Sequence, residues 1–201
     1  SAMGASAILE AWYPGEEGGN ALADVLLGSV NPSGRLPATM YASTAQLPPY
    51  RDYGMRGRTY RYFQGKGAPM YPFGHGLSYS SFSYSMTTPE IRAYSVGQNV
   101  PISVDVRNTG KYDGAEVVQL YVVGPYRDAG APLKSLRAFE KVFLRAGEER
   151  TVKFELSPKQ LSFADVNGVV REAPGEYDLV ISRSSDLERG LKARVRIGRP
   201  L

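Results

Sequence analysis

From residue 82 onward, apolar and polar residues alternate in short segments that are separated by turns. A period of two predicts half-buried strands, because successive side chains of a strand point to opposite faces. Residues 115–123 are instead apolar at nearly every position, which is typical of a central strand covered on both faces. Seven segments have one of these two patterns: residues 82–86, 100–107, 115–123, 136–144, 151–156, 177–181 and 191–197.

Glycine, proline and asparagine mark the turns between the segments, as at Asn167-Gly168. About seven short strands with such turns predict a mainly β domain over residues 82–201, an immunoglobulin-like or fibronectin type III-like sandwich. In the segment around Phe139 the alternation slips at Glu140-Lys141, so we expect a bulge or bend there.

The beginning of the chain has a different pattern. Residues 7–13 are an apolar run closed by Pro14-Gly15, and helix-forming residues fill positions 16–27 before Gly28. This predicts one strand, one turn and one helix. Because one such unit cannot cover its own apolar face, we expect it to be held on the sandwich, or by a second copy in a segment-exchanged homo-oligomer.

Residues 31–82 carry the signals of a loop, since prolines and glycines interrupt regular structure. Half of the chain's 14 tyrosines nevertheless lie here. Flexible linkers are poor in aromatic residues, so we expect a structured connector that packs along a protein surface.

The composition of the chain excludes several kinds of site and partner. The 201 residues include no cysteine, which excludes disulfides and thiolate metal sites, and no apolar run approaches the roughly 18 residues of a membrane-spanning helix. The net charge is +4, but Lys192, Arg194 and Arg196 alternate with apolar residues, as on the solvent face of a strand. We expect neither nucleic acid nor a membrane as partner.

The first four residues are typical of a cloning remnant. The missing leader therefore leaves the compartment of the parent protein open.

Few residues carry candidate chemistry. Glu16 and Glu17 are adjacent, and helix neighbours do not face each other, so we expect them to stabilise the first turn rather than to act as acid and base. His75 is the only histidine and lacks the partners that a metal site or a nucleophile needs. We expect it to be a turn residue packed against the connector, and we expect no cofactor or metal.

One cluster mixes aromatic and basic side chains. Aromatic faces and guanidinium groups stack on sugar rings or bases, but aromatic residues more often bury area against a neighbouring domain. The candidate substrate-loop or interdomain contacts are Arg58, Tyr60, Arg61, Tyr62 and His75.

Four motifs, in this order and spacing, resemble the C-terminal part of glycoside hydrolase family 3, the β-glucosidases and β-xylosidases. They are EAWYPGEEGG at 10–19, NPSGRLP at 31–37, GRTYRYF at 57–63 and YPFGHGLSYSSF at 71–82. LRAFEKV at 136–142, followed by AGE at 146–148, resembles the family's fibronectin type III-like module. The resemblance covers nearly the whole chain from Ala7.

This resemblance implies that the catalytic residues lie elsewhere. In that family a barrel domain supplies the nucleophilic Asp, and an α/β sandwich domain supplies or borders the acid/base Glu; both positions lie upstream of Ala7. A retaining glycosidase needs two carboxyl groups roughly 5–5.5 Å apart. We therefore expect no catalytic residue and no hydrolysis in this chain. The parent would act on terminal β-linked glucose or xylose, and such a β-glucoside or β-xyloside would be a substrate of the parent only.

The resemblance also implies an organisation. Residues 1–6 are a cloning remnant and the start of the fragment, and residues 7–40 are a remnant of the α/β sandwich domain. The connector then takes residues 41–81, and the fibronectin type III-like domain takes residues 82–201. The expected partners are the upstream catalytic domains of a periplasmic or secreted parent.

Three roles stay open for this region. In the first, the sandwich and connector stabilise the catalytic domains. In the second, the sandwich binds a carbohydrate or another polymer and so anchors the enzyme to its substrate. In the third, the connector reaches the parent's active site through Arg58. A sugar platform needs exposed coplanar aromatic rings. Its candidates in the sandwich are Tyr94, Tyr112, Tyr121 and Tyr126.

Overall fold

The structure is a computed structural model that describes residues 4–65, 67–86, 92–125, 130–165 and 167–198; residues 1–3, in the predicted cloning remnant, and Tyr126 lie outside it. Its helices are α1 (Gly18–Leu27), α2 (Thr59–Tyr62) and α3 (Pro158–Leu161), with a 3-10 turn at Thr44–Gln46. Its strands are β1 (Phe82–Ser85), β2 (Arg92–Ser95), β3 (Val100–Asn108), β4 (Gly114–Val123), β5 (Ser135–Leu144), β6 (Glu149–Leu156), β7 (Phe163–Ala164), β8 (Val170–Arg171), β9 (Gly175–Ser182) and β10 (Leu191–Gly198).

Two sheets share one apolar core. The smaller sheet has the strand order β1-β3-β6, the larger has β2-β10-β9-β4-β5, and β7 and β8 form a separate short ladder. The ladder between β10 and β2 is parallel, whereas β3 and β6, for example, run antiparallel. The predicted mainly β sandwich is confirmed, and each of the seven predicted segments contains a strand.

The period-two pattern places the core. In β3 the burial alternates along the strand, and Val100 and Val104 pair with Leu156 and Val152 of β6. These residues join Leu179 and other side chains of the larger sheet in one buried cluster. Each such side chain stabilises the fold by about 1.5–3 kcal/mol relative to leaving it exposed. The sandwich therefore closes on its own core.

The basic residues of β10 lie on the solvent face, as predicted. Arg194 pairs with Asp178 at 3.1 Å, and Arg196 pairs with Glu176 at 2.8 Å. Both pairs bridge β10 to its neighbour β9, so these charges support the surface of the sheet.

Two details of the sheets differ from the prediction. β2 and the β7–β8 ladder were not predicted, because these short segments carry no clear alternation. The predicted bulge at Glu140-Lys141 is wrong: the register shifts opposite residues 120–121, where Arg137 is the extra residue of β5. The guanidinium of Arg137 lies 4.7 Å from the ring centroid of Phe163. The alternation slips at 140–141 because β5 is an edge strand, so both of its faces reach solvent there.

The predicted strand at 7–13 is wrong, since the described residues contain no neighbouring strand with which it pairs. The helix begins at Gly18 rather than residue 16, so Glu16 and Glu17 precede its first turn. Glu17 accepts a hydrogen bond from the side chain of Asn20 at 2.6 Å. Gly28, at φ 80°, ends the helix as predicted.

Within the described part of the chain, the opening unit is held at the C-terminal end of α1. Tyr79 donates a hydrogen bond to the carbonyl oxygen of Val25 (2.7 Å), and the amide of Asn31 donates to the carbonyl oxygen of Asp113 in the sandwich (2.9 Å). The rest of α1 is largely exposed. No described helix combines the length and apolar character needed to cross a membrane.

A buried ion pair, not predicted from the sequence, joins the segment after α1 to the sandwich. β9 pairs only with residues 119–123 of β4, so it leaves the first half of β4 without a neighbour on that side. The side chain of Arg35 reaches this uncovered half of β4 and forms an ion pair with Glu116 at 2.8 Å. The Arg35 side chain is only 9% exposed, and that of Glu116 is 2% exposed. The hydroxyl of Tyr84 donates to the other oxygen of Glu116 (2.7 Å), and burial, followed by the charge of Glu116, raises the pKa of Tyr84.

Replacing Arg35 by Met should destabilise the chain by about 3–5 kcal/mol, because it leaves the buried Glu116 carboxylate without a cation. The double variant Arg35→Met/Glu116→Gln should recover part of this loss, since Gln keeps an acceptor for Tyr84. Urea unfolding of the single and double variants measures the coupling.

Arg194→Met is the matched control for this cycle, because the side chain of Arg194 is 55% exposed on β10 and pairs with Asp178 on the solvent face of β9. It should cost less than about 1 kcal/mol. Strictly additive effects of Arg35→Met and Glu116→Gln would contradict the coupling.

Candidate functional site

The connector crosses the outer face of the larger sheet, and Tyr60 of α2 is its main contact. The ring of Tyr60 stacks on Phe73 (centroids 4.2 Å apart, planes at 18°) and meets Tyr121 of β4 edge-on at 6.1 Å. Its hydroxyl accepts a hydrogen bond from the backbone N–H of Leu136 at 3.1 Å. Tyr60 is thus a packing residue against a neighbouring domain, and that neighbour is the sandwich.

The turn at Pro72–Gly76 fastens the connector to the same sheet. Gly74 has φ 80°, and a Cβ there would lie 2.2 Å from the side-chain oxygen of Gln119, so only glycine fits. The amide of Gln119 donates to the carbonyl oxygens of Gly74 (3.1 Å) and Arg183 (2.6 Å). The N–H of Ser185 donates to the carbonyl oxygen of Phe73 at 2.8 Å. This motif therefore serves attachment.

His75 is a turn residue packed within the connector, as predicted. Its ring stacks on Tyr71 with centroids 5.1 Å apart, and its carbonyl oxygen accepts the N–H of Leu36 at 2.8 Å. Partial burial and then the nearby charge of Arg35 lower the pKa of His75 below its usual 6.5. Both causes favour the neutral imidazole.

Arg58 lies apart from this attachment. Its guanidinium donates to the carbonyl oxygens of Gly54 (3.1 Å), Pro49 (3.4 Å) and Asp52, and so braces the loop at 49–54. The next residue, Thr59, has φ 53°, an unfavourable conformation for a β-branched residue. The hydroxyl of Tyr41 accepts its N–H at 2.9 Å. The donors of Arg58 thus bond the chain's own backbone.

Arg61 and Tyr62 complete the predicted cluster. The guanidinium of Arg61 lies 5.6 Å from the ring centroid of Tyr62, and its carbonyl oxygen accepts the N–H of Leu133 at 2.8 Å. Both side chains are half-buried. The structure thus joins Tyr60 and Arg61 to the sandwich, keeps His75 within the connector and leaves Arg58 in a separate loop.

Sequence reasoning missed Arg35, Glu116 and Gln119, which fasten the connector to the sandwich. The available signal was the presence of Glu116 and Gln119 within the otherwise apolar strand at 114–123. Across the described residues, no three His, Asp or Glu side chains form a group that could hold a metal ion.

His75 gives the fold a pH dependence. The imidazole of His75 binds its proton more tightly in the unfolded chain than in the folded chain. The contribution of neutral His75 to stability is therefore complete above about pH 6.5, and it decreases as the pH falls through the lower folded pKa. Urea unfolding should therefore show that the wild type loses stability between about pH 8 and about pH 5.5 relative to His75→Phe, which keeps the stacking on Tyr71. Parallel curves for the two proteins would exclude His75 as the cause.

Two family descriptions match the chain. Residues 2–79 match the glycosyl hydrolase family 3 C-terminal domain, and residues 116–185 match the fibronectin type III-like domain. Among curated relatives, a xylan 1,4-beta-xylosidase of Xylanibacter ruminicola is 43% identical over 92% of this chain and 21% of its own length. A periplasmic beta-glucosidase of Salmonella typhimurium is 40% identical over 90% of this chain and 25% of its own length.

Solved structures of β-glucosidases are also similar to this chain. A β-glucosidase from Listeria innocua in complex with glucose superposes with a TM-score of 0.80 at 33% identity, over 94% of this chain and 28% of that one. The β-glucosidase EmGH1 from Erythrobacter marinus gives a TM-score of 0.78 at 39% identity, over 93% of this chain and 24% of that one. The chain thus spans about a quarter of the length of these relatives. From these matches and the fold, the chain belongs to glycoside hydrolase family 3, of which it carries the C-terminal region with its fibronectin type III-like domain.

Proposed function

We propose that this chain is the non-catalytic C-terminal module of a longer family 3 enzyme, the parent, which hydrolyses terminal β-linked glucose or xylose with retention of configuration. The sandwich and connector stabilise the catalytic domains, and the upstream region supplies the nucleophile and the acid/base. The names of the relatives support this substrate class, since they are β-glucosidases and a xylosidase.

One observation carries the proposal: the exposed apolar surface is concentrated outside the sandwich. Among the residues that the structure describes, 20 large apolar residues are exposed, and 14 of them lie between residues 8 and 79. Covering each one stabilises a complex by up to about 1.5–3 kcal/mol. A closed sandwich joined to such a surface is the expected form of a module that packs on a larger partner.

A polysaccharide-binding role has little support in the sandwich. Tyr121 is fully buried and Tyr94 is half-buried, so among the candidate platform residues that the structure describes only Tyr112 is well exposed. One ring does not form a platform for a sugar chain.

A contact of the connector with the parent's active site stays a separate proposal. The loop braced by Arg58 presents Tyr50 and Tyr53, which are 90% and 85% exposed. Arg58→Ala would then alter substrate preference by loosening this loop rather than by losing a sugar contact.

Deleting residues 82–201 from the parent should lower its melting temperature markedly while leaving the KM of the remaining active enzyme nearly unchanged. The reason is that the deletion uncovers apolar surface without removing a group that contacts the reacting sugar. Calorimetry and nitrophenyl glycoside kinetics measure the two effects.

The isolated chain is the control, and it should not hydrolyse nitrophenyl glucoside or xyloside. A truncated parent as stable as the intact enzyme, or turnover by the isolated chain above a mock preparation, would overturn the proposal. Sedimentation of the isolated chain shows whether a segment-exchanged homo-oligomer covers the apolar surface instead.

A further inference from the structure

Two phenylalanines of β5 are exposed although they lie on an ordered sheet. Phe139 is 66% exposed and Phe143 is 56% exposed. They pair in register with Gln119 and Ala115 of β4. Because strand side chains alternate, they share the outer face of the sheet with Lys141, which lies midway between them, and with the outward residues of β4. The phenylalanine face consists of Ala115, Val117, Phe139, Lys141 and Phe143.

The connector covers the adjoining part of this outer face. Gln119 and Tyr121 are the next outward residues of β4, and both are buried beneath the connector, where they contact Gly74 and Tyr60. The cover thus ends where the phenylalanine face begins. An apolar sheet face is stable when a second layer packs on it.

The beginning of the chain reaches the sandwich at this same place. Asn31 bonds the carbonyl oxygen of Asp113, directly before β4, and Gly114 pairs with Leu144, the neighbour of Phe143. The segment after α1 is therefore fixed next to the phenylalanine face, and the upstream region of the parent is joined to this point through α1.

The size of the face favours a tethered partner over a second copy. A buried aromatic side chain contributes about 150–250 Å², so two of them fall short of the roughly 800 Å² per partner of a stable interface between free proteins. A domain joined by the chain itself meets the face at high effective concentration and needs less area.

We propose that the parent's upstream catalytic region covers the phenylalanine face directly, with an apolar surface that carries an acidic group opposite Lys141. The fibronectin type III-like domain thus contacts the catalytic region itself, in addition to the contact made through the connector. This inference rests on the proposed function, because it requires a parent with such a region.

Thiol labelling tests the contact, since the chain contains no cysteine. Phe139→Cys and Phe143→Cys are made separately, in the isolated chain and in the parent, and modification by a maleimide is followed by mass spectrometry of the labelled peptide. In the parent both positions should react roughly tenfold or more slowly than in the isolated chain, because a covered thiol is reached only after local opening. Val170→Cys, 65% exposed on β8, is the matched control and should react equally in both proteins.

Equal labelling of positions 139 and 143 in parent and chain would overturn the inference. Protection that appears in the isolated chain as its concentration rises would overturn it too, since the occupant would be a second copy. Leu26→Cys on α1 separates the two proposals. If Leu26→Cys is protected in the parent and 139 and 143 are not, only the inference fails; if none of the three is protected, the proposed function fails as well.

Discussion

The attachment of the connector depends on a carboxylate that lies inside the sandwich. Glu116 points into the core on the half of β4 that β9 does not cover, and a buried carboxylate needs a cation and further donors. Arg35 supplies the cation, and Tyr84 supplies a hydroxyl from the opposite sheet. A residue far upstream in sequence is thus required for a satisfied core, so the sandwich and the connector fold as one unit.

This unit has two kinds of surface. The sandwich closes on its own apolar core, and its solvent face carries ion pairs between neighbouring strands. The opening helix and the braced loop at 49–54 expose large apolar side chains instead. The proposed stabilising role rests on this contrast, because one side of the connector packs on the sandwich and the other side is exposed.

Much of the sandwich was predictable, because the period of two directly records which side chains of strands such as β3 and β6 enter the core. The connector was predicted to pack on a surface, but its contacts were not, since the Arg35–Glu116 and Gly74–Gln119 pairs join residues 81 and 45 positions apart. Local patterns do not encode such distances. The prediction of a strand at 7–13 failed for a related reason: an apolar run becomes a strand only beside another strand.

Native-state hydrogen exchange of the isolated chain is the most direct test that connector and sandwich form one unit. The N–H groups of Leu36 and Gly74 bond within the connector, and that of Ser185 joins the sandwich side to Phe73. All three should exchange only with the global unfolding that also releases the amide of Val104 in β3. Fast exchange of these three amides beside a protected Val104 would contradict the account.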